Sequence, residues 1–467
     1  MATYTARLSP VDQFFPLVYT TVWLCIPASD PSRTITALQS GLAKTIEQLP
    51  FLKGTVSLDQ EQNYSGITWT DGPSTIILEK IEGNFPAWAE LDAQGMPLHR
   101  LQAHNFLPAA LQGPYFLKPT LPAAAFSYAQ LDQGLIVTVA VHHHVMDGDA
   151  MTYLFDIWAA HTSGRPFTGV NIDPHEPLGR YERFVQAFQD SPIEGDGKIL
   201  SPTADFATPP ASGPPQRPTY KPDSRIFSFD SVKLGILRKA LFEGEGFSST
   251  LSKNTIVCAL LWYFINKARL ARLPEAAGQG SSSLMVTSNM RPLLKHKALA
   301  AGEGQPYIGN LVISAPATLD MSFFALTPAA HPAADFPQLL PMLIGIIRRA
   351  LSTVTVPKLA AAVKTALEIP DARSCRNIGD LLAGRNIVTT TWANLAFWSD
   401  FGEQVGKPSY VRIPGTGFDG LATVLPLRRH VLGDQAPLEV IAVSREEDIA
   451  TLEADESLGA WLTQKPF

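Results

Sequence analysis

Apolar residues recur along the chain at two periods, and the switches between them outline its elements. Residues 18–26 form a β-branched and aromatic run, which predicts a strand. Asp30-Pro31-Ser32 then opens a helix over 33–48, with Ile35, Leu38, Leu42 and Ile46 at helical spacing. Residues 66–70 and 74–78 read as strands on either side of an Asp-Gly-Pro turn, and 126–131 with 135–141 as a hairpin. A helix over 149–158 follows, with Asp149 as its N-cap. Further strands are expected over 225–229, 283–288, 387–395, 420–425 and 438–443, and a turn at Tyr307 leads into one ending at Ile313. Helices are expected over 253–272, capped by Ser252, and over 336–354 and 445–455. Strands and helices mix in both halves, so the fold class is α/β, with two layers in each half.

Pro192, Pro202, Pro209, Pro210, Pro214, Pro215, Pro218 and Pro222 crowd one stretch with Ser, Gly and Asp. Proline fits neither ladders nor helix interiors, so this reads as an extended crossover. A chain of 467 residues exceeds one typical core. The expected division is therefore a first domain over 1–190, a linker over 191–224 and a second domain over 225–467.

Composition narrows the function classes. The chain is 45% hydrophobic and 17% charged, as a folded protein with a large interior would be. Its net charge of -6 gives no basic footprint for nucleic acid. Cys25, Cys258 and Cys375 lack metal-binding or disulfide spacing and read as packing residues of a reducing compartment. The first residues do not have the form of a signal peptide, and no apolar run reaches the roughly 18 residues of a membrane span. The cytoplasm is the expected location.

The chemistry concentrates where the 135–141 strand runs into His142-His143-His144-Val-Met-Asp147-Gly148. A loop between a strand and a helix is a place where side chains can be aimed at a ligand. Three readings compete: a metal site, histidines satisfied at a strand end, and a general base. If the pleat continues, His142 and His144 share one face and His143 points to the other. A neutral imidazole near its ordinary pKa takes protons from hydroxyls, amines or thiols. Asp147 would then brace the loop or pair with the base, and Gly148 would allow a tight turn. Zinc-bound imidazole has no lone pair to spare, so the metal and base readings exclude each other at His143. A third metal ligand at familiar spacing is missing, and no metal is expected.

His143-His-Val-Met-Asp147-Gly148 resembles the H-x-x-x-D-G motif of BAHD-type acyltransferases. With His142 it is the H-H-x-x-x-D-G form shared with condensation domains of nonribosomal peptide synthetases. Leu8-Ser-Pro-Val-Asp-Gln, residues 42–54, Asn289-Met-Arg291 and Tyr307-Ile-Gly-Asn310 are similar to further family landmarks, in the same order. Asp400-Phe401-Gly402 resembles the start of D-F-G-W-G, in the form of fungal relatives such as trichothecene acetyltransferases. Here Glu403 and Gln404 replace the Trp and second Gly, and Gly406 comes later.

The resemblance implies a two-domain, chloramphenicol-acetyltransferase-like fold of mixed sheets with flanking helices and a channel at the domain interface. It implies acyl-CoA, expected to be acetyl-CoA, as co-substrate with no permanently bound cofactor. The acceptor would be a hydroxyl or amine of a specialised small metabolite, and the enzyme a monomer. His143 would be the base, supported by Asp147, with His142 and Gly148 as motif support and His144 neutral. Asp147 is expected to form a bidentate pair with Arg291. Thr390 and Thr391 are candidates to stabilise the oxyanion. No G-x-S-x-G elbow is present, so no covalent acyl-enzyme is expected. A condensation-type enzyme fed by a carrier protein and a catalytically idle binding protein are the alternatives.

Overall fold

The structure is a computed structural model and describes residues 2–463 apart from 16, 60–63, 74–75, 103–105, 114–117, 170, 190, 192–219, 246–250, 275–279, 295–298, 300–303, 326–335, 369–384 and 416–418. Among the described residues the strands form three sheets. A five-stranded sheet runs in the order Tyr410–Arg412, Tyr19–Pro27, Gly134–His142, Ala124–Gln130, Leu78–Ile81. A six-stranded sheet runs Val312–Asp320, Ser281–Asn289, Ile387–Thr391, Leu421–Val424, Leu438–Arg445, Pro222–Phe229. Both contain parallel and antiparallel pairs, so the class is mixed α/β. The four-stranded third sheet includes Thr3–Arg7 and Thr55–Asp59, neither of which the apolar pattern singles out.

Several elements form for the reasons their sequence advertises. The 124–142 hairpin pairs antiparallel, Ala124 opposite Val141. Pro31–Gln48 is a helix whose cap, Asp30, accepts from the Arg33 N–H; it starts two residues before the expected Arg33. Lys253–Arg272 is a helix whose Ser252 cap accepts from the Thr255 N–H. That helix is buried nearly all round, which is why its apolar residues do not keep to one stripe.

Other expectations shift. The second strand after the Asp-Gly-Pro turn is Leu78–Ile81 rather than 74–78; Ser74 and Thr75 lie outside the described residues. Residues 192–219 of the proline-rich stretch also lie outside them, and the strand expected from Arg225 starts at Pro222. Pro222 sits at a strand's first residue, where its missing N–H matters least. The helices Arg180–Gln189, Ser231–Glu245 and Val356–Glu368 were not anticipated. No single described helix is long and apolar enough to cross a membrane; Leu339–Ser352 and Val356–Glu368 pass only as a pair bent by 66°.

The two halves are interlocked. Tyr410–Arg412 comes from late in the chain yet pairs with Tyr19–Pro27, placing Arg412 opposite Trp23. Arg412 is buried and grips Glu439 of the six-stranded sheet with two N–H groups, at 3.1 and 3.2 Å. Its remaining donors reach the carbonyls of Met96, Gly95 and Val411. Every guanidinium N–H is thereby used, as a buried fork requires.

Arg412→Ala should therefore cost about 3–5 kcal/mol of stability, because it strands the Glu439 carboxylate in the interior. Denaturant unfolding checks this. Arg412→Met combined with Glu439→Leu should regain part of the loss.

Candidate active site

The histidine strand ends at His142, and the chain then turns instead of continuing its pleat. The turn is closed by the Val145 N–H on the His142 carbonyl at 2.8 Å and by the His144 N–H on His142 Nδ1 at 3.1 Å. His142 and His144 are fully buried, their rings edge to face at 5.0 Å. His144 Nε2 lies 2.8 Å from the Phe15 carbonyl. Only His143, half-buried, has an open edge among the three. The separation of His143 from its neighbours is the expected one, but a turn produces it. Burial, chiefly, depresses the basicity of His142, with the neighbouring imidazoles adding to it.

His143 is held by parts of the chain far from it. Its ring stacks on Phe15 at 4.1 Å, tilted by 11°. Its Nδ1 is 3.0 Å from Asn310 Oδ1. The protonation state follows from Asn310's other bonds. Asn310 Nδ2 donates to the His143 carbonyl and to Asp12 Oδ1, both at 2.7 Å, and neither oxygen has a hydrogen to give. The remaining amide atom is therefore Oδ1, which only accepts, so His143 Nδ1 must carry the proton. Nε2 is left with its lone pair. Burial lowers the His143 pKa below 6.5, opposed first by a backbone hydrogen bond and then by the Asp147 charge, the Asn310 bond and the Asp12 charge.

Asp147 is built into the scaffold. It is 1% exposed and caps the Gly148–Ser163 helix, Oδ1 accepting from the Ala150 N–H at 2.9 Å. The N-cap is thus Asp147, two residues before the expected Asp149, because the turn reaches helical geometry at Gly148. Its Oδ2 accepts from Arg291 at 2.8 Å and from the Leu311 N–H at 3.0 Å. The expected pairing with Arg291 is present but is not bidentate. Nη1 of Arg291 serves Asp147, Nε lies 3.3 Å from Asp149, and Nη2 reaches the Gly309 carbonyl at 2.7 Å and the Tyr307 carbonyl at 3.4 Å. The guanidinium clamps two helix-start carboxylates to a loop of the second half.

Gly148 does not serve a left-handed turn; it is the first residue of the helix. Its missing side chain makes room for Trp392, whose indole would lie 3.1 Å from a Cβ placed there. Trp392 follows Thr390 and Thr391, which close the Ile387–Thr391 strand, Thr390 half-buried and Thr391 exposed. The strand end therefore abuts the motif helix through Trp392.

Asp400, Phe401 and Gly402 lie against the far end of that helix. Phe401 packs edge-on to Trp158 at 5.5 Å, and the Asp400 carbonyl accepts from Arg165. Gly402 has φ +89° and no room for a side chain beside Ser163. With Glu403 and Gln404 in place of the family's Trp and Gly, Gly406 closes the loop, donating to the Gly402 carbonyl at 2.7 Å. The Gln404 carbonyl accepts from Thr34 at 2.9 Å. The loop is a structural clasp leading into the Tyr410–Arg412 strand.

Among the described residues no group of three or more His, Cys, Asp or Glu is placed to hold a metal ion. Cys25 and Cys258 are buried, and burial pushes their thiols up to about 12 and about 11, which leaves them poor nucleophiles. Cys375 lies outside the described residues.

Residues 18–158 match the family model of the trichothecene 3-O-acetyltransferase-like N-terminal domain. The whole chain has a BAHD-type fold, which it shares with TRI101 and vinorine synthase. It is 26% identical to a trichothecene 8-O-acetyltransferase of Fusarium sporotrichioides, over 99% of both chains. Among solved structures it superposes on F. sporotrichioides TRI101 complexed with coenzyme A and T-2 with a TM-score of 0.75, at 21% identity, covering 98% of this chain and 99% of that one. Vinorine synthase gives a TM-score of 0.65 at 17% identity, covering 98% and 94%.

Removing either partner of the Asp147–Arg291 pair leaves a buried charge uncompensated, at a cost of roughly 3–5 kcal/mol. Asp147→Ala and Arg291→Ala should each lower stability and activity. The Asp147→Ala/Arg291→Ala double variant should be less destabilised than the sum of the two, as denaturant titration of the full cycle will read.

Proposed function

We propose that this protein is an acyl-CoA-dependent O-acyltransferase that moves an acetyl group onto a hydroxyl of a lipophilic specialised metabolite. The observation that carries this reading is His143: a half-open imidazole with Nδ1–H committed to Asn310 and a bare Nε2. The trichothecene acetyltransferase relative and the coenzyme A complex of TRI101 support acetyl-CoA as donor. The division into domains of 1–190 and 225–467 joined by 191–224, a channel between them, a monomeric state and a cytoplasmic location belong to the same proposal.

In this mechanism His143 Nε2 takes the acceptor's hydroxyl proton as the oxygen attacks the thioester carbonyl. The tetrahedral oxyanion draws donors from the strand end at Thr390 and Thr391, next to Trp392. Collapse breaks the carbon–sulfur bond, and the departing CoA sulfur takes the proton back from the imidazolium. No side chain is acylated, in keeping with two buried thiols of raised pKa. Asp147, Arg291 and Gly148 act as supports of the His143 loop.

His143→Ala should lower turnover by about 10²–10⁴-fold with native circular dichroism, the usual contribution of a general base. His142→Ala and His144→Ala should cost less turnover and more stability, because those rings are packing elements of the turn. The assay is release of free CoA from acetyl-CoA with hydroxylated terpenoid acceptors. Release only when an acceptor is present fits the proposal. Full activity in His143→Ala would sink it, and transfer from an acyl carrier protein but not from acetyl-CoA would assign the condensation-type reading.

A chelator should leave turnover unchanged. Stoichiometric metal whose removal abolishes turnover and whose return restores it would contradict the base mechanism.

A further inference from the structure

Behind Asn310 lies a buried ionic chain that fold stability alone does not explain. Asp12 has no exposed surface, and its Oδ1 accepts from the Asn310 N–H at 2.8 Å and Nδ2 at 2.7 Å. Its Oδ2 accepts from the Ser9 N–H at 2.8 Å and faces Arg180 at 3.5 Å. Arg180 is also fully buried and is fixed by Glu176, at 3.1 Å through Nε, and by the Val145 carbonyl at 3.0 Å. Arg183 adds a second positive charge, 3.5 Å from Glu176. Buried pairs of this kind are costly to form, and apolar residues would often serve stability as well.

The segment that carries Asp12 also supplies Phe15, whose ring stacks on His143 and whose carbonyl lies 2.8 Å from His144 Nε2. One short stretch near the N-terminus therefore touches the His143 loop at its ring, its neighbour and its hydrogen-bond partner.

We infer that Asp12 is a positioning residue that strengthens His143 as a base through Asn310, with Arg180 and Glu176 holding its carboxylate in place. This rests on His143 being the base, as proposed above. A carboxylate that accepts from an amide N–H₂ pushes electron density toward the amide oxygen, so Asn310 Oδ1 becomes the better acceptor for His143 Nδ1–H. The effect grows when His143 gains its second proton, because the Nδ1–H is then part of a cation. The other charged and titratable groups around the loop are Asp147, Asp149 and Arg291 at the helix start, His142 and His144 in the turn, and Arg180, Glu176 and Tyr307 behind Asn310. Asp147 is already committed to Arg291, Ala150 and Leu311. Asp12 is the carboxylate whose hydrogen bonds lead to the imidazole.

The test uses Asp12→Asn, Asn310→Ala and their double variant, with His143→Ala as reference, in the full chain. Asp12→Asn should lower kcat/KM by about tenfold, a part of the contribution of the general base it supports. Losing a nearby negative charge lowers the His143 pKa, so the acid limb of the kcat/KM profile should move to lower pH. The double variant should be no worse than Asn310→Ala, because Asp12 acts through Asn310. A merely structural role would leave the limb in place and give additive losses. In ¹⁵N-histidine spectra of the unmodified protein, the resonance lost in His143→Ala should be the Nδ1–H tautomer, a measurement that stands even if Asp12→Asn fails to fold. An Nε2–H tautomer there, or an unmoved limb with an undiminished rate in Asp12→Asn, would overturn the relay. If His143→Ala remained inactive in that case, the base assignment itself would survive.

Discussion

The structure turns on one carboxylate with three claims on it. Asp147 caps the helix that follows the histidine turn, and it accepts at the same time from Arg291 and from the Leu311 backbone of the second half. A buried carboxylate must be satisfied on several sides, and here the donors come from both halves of the chain. The same carboxylate that starts the helix therefore also fixes where the Tyr307–Leu311 loop can lie. Asn310 sits in that loop, so the geometry at His143 depends on the Asp147 cap two steps removed.

This dependence separates the roles within the motif. His143 is the group with an open edge, while Asp147, Gly148 and Arg291 hold the helix start against Trp392 and the second half. The D-F-G region belongs to the scaffold too. Its turn is closed by Gly406, which donates to the Gly402 carbonyl and accepts from the Phe401 N–H.

Local chemistry was legible in the sequence where the forces are local. Ser252 capping Lys253–Arg272 and the hairpin ending at the histidines were readable from residue type, periodicity and spacing, whereas the Asp147–Arg291 pairing joins residues 144 apart and was suggested only alongside the family resemblance. The exact N-cap was less so, because Asp147 and Asp149 have the same capping chemistry and only the turn geometry chooses between them. The crossover strand Tyr410–Arg412 is three residues long, too short to show a period. Asn310 and Asp12 were legible only as parts of recurring motifs. Their partners lie 167 and 298 residues away, and nothing in local pattern reports a contact of that range. The one local signal at Asp12 is Ser9 three residues before it, since the two exchange bonds in the manner of a capping pair.

The account's central claim is that a neutral His143, with burial lowering its pKa, supplies the lone pair for acyl transfer. The most direct measurement is the pH dependence of kcat/KM for the unmodified protein with acetyl-CoA and a hydroxylated acceptor. Activity should rise along a single acid limb whose midpoint lies below 6.5, the ordinary value for the imidazole, and then hold level through neutral pH. A profile flat from pH 4 to 8, or a limb set well above the ordinary imidazole pKa, would contradict it.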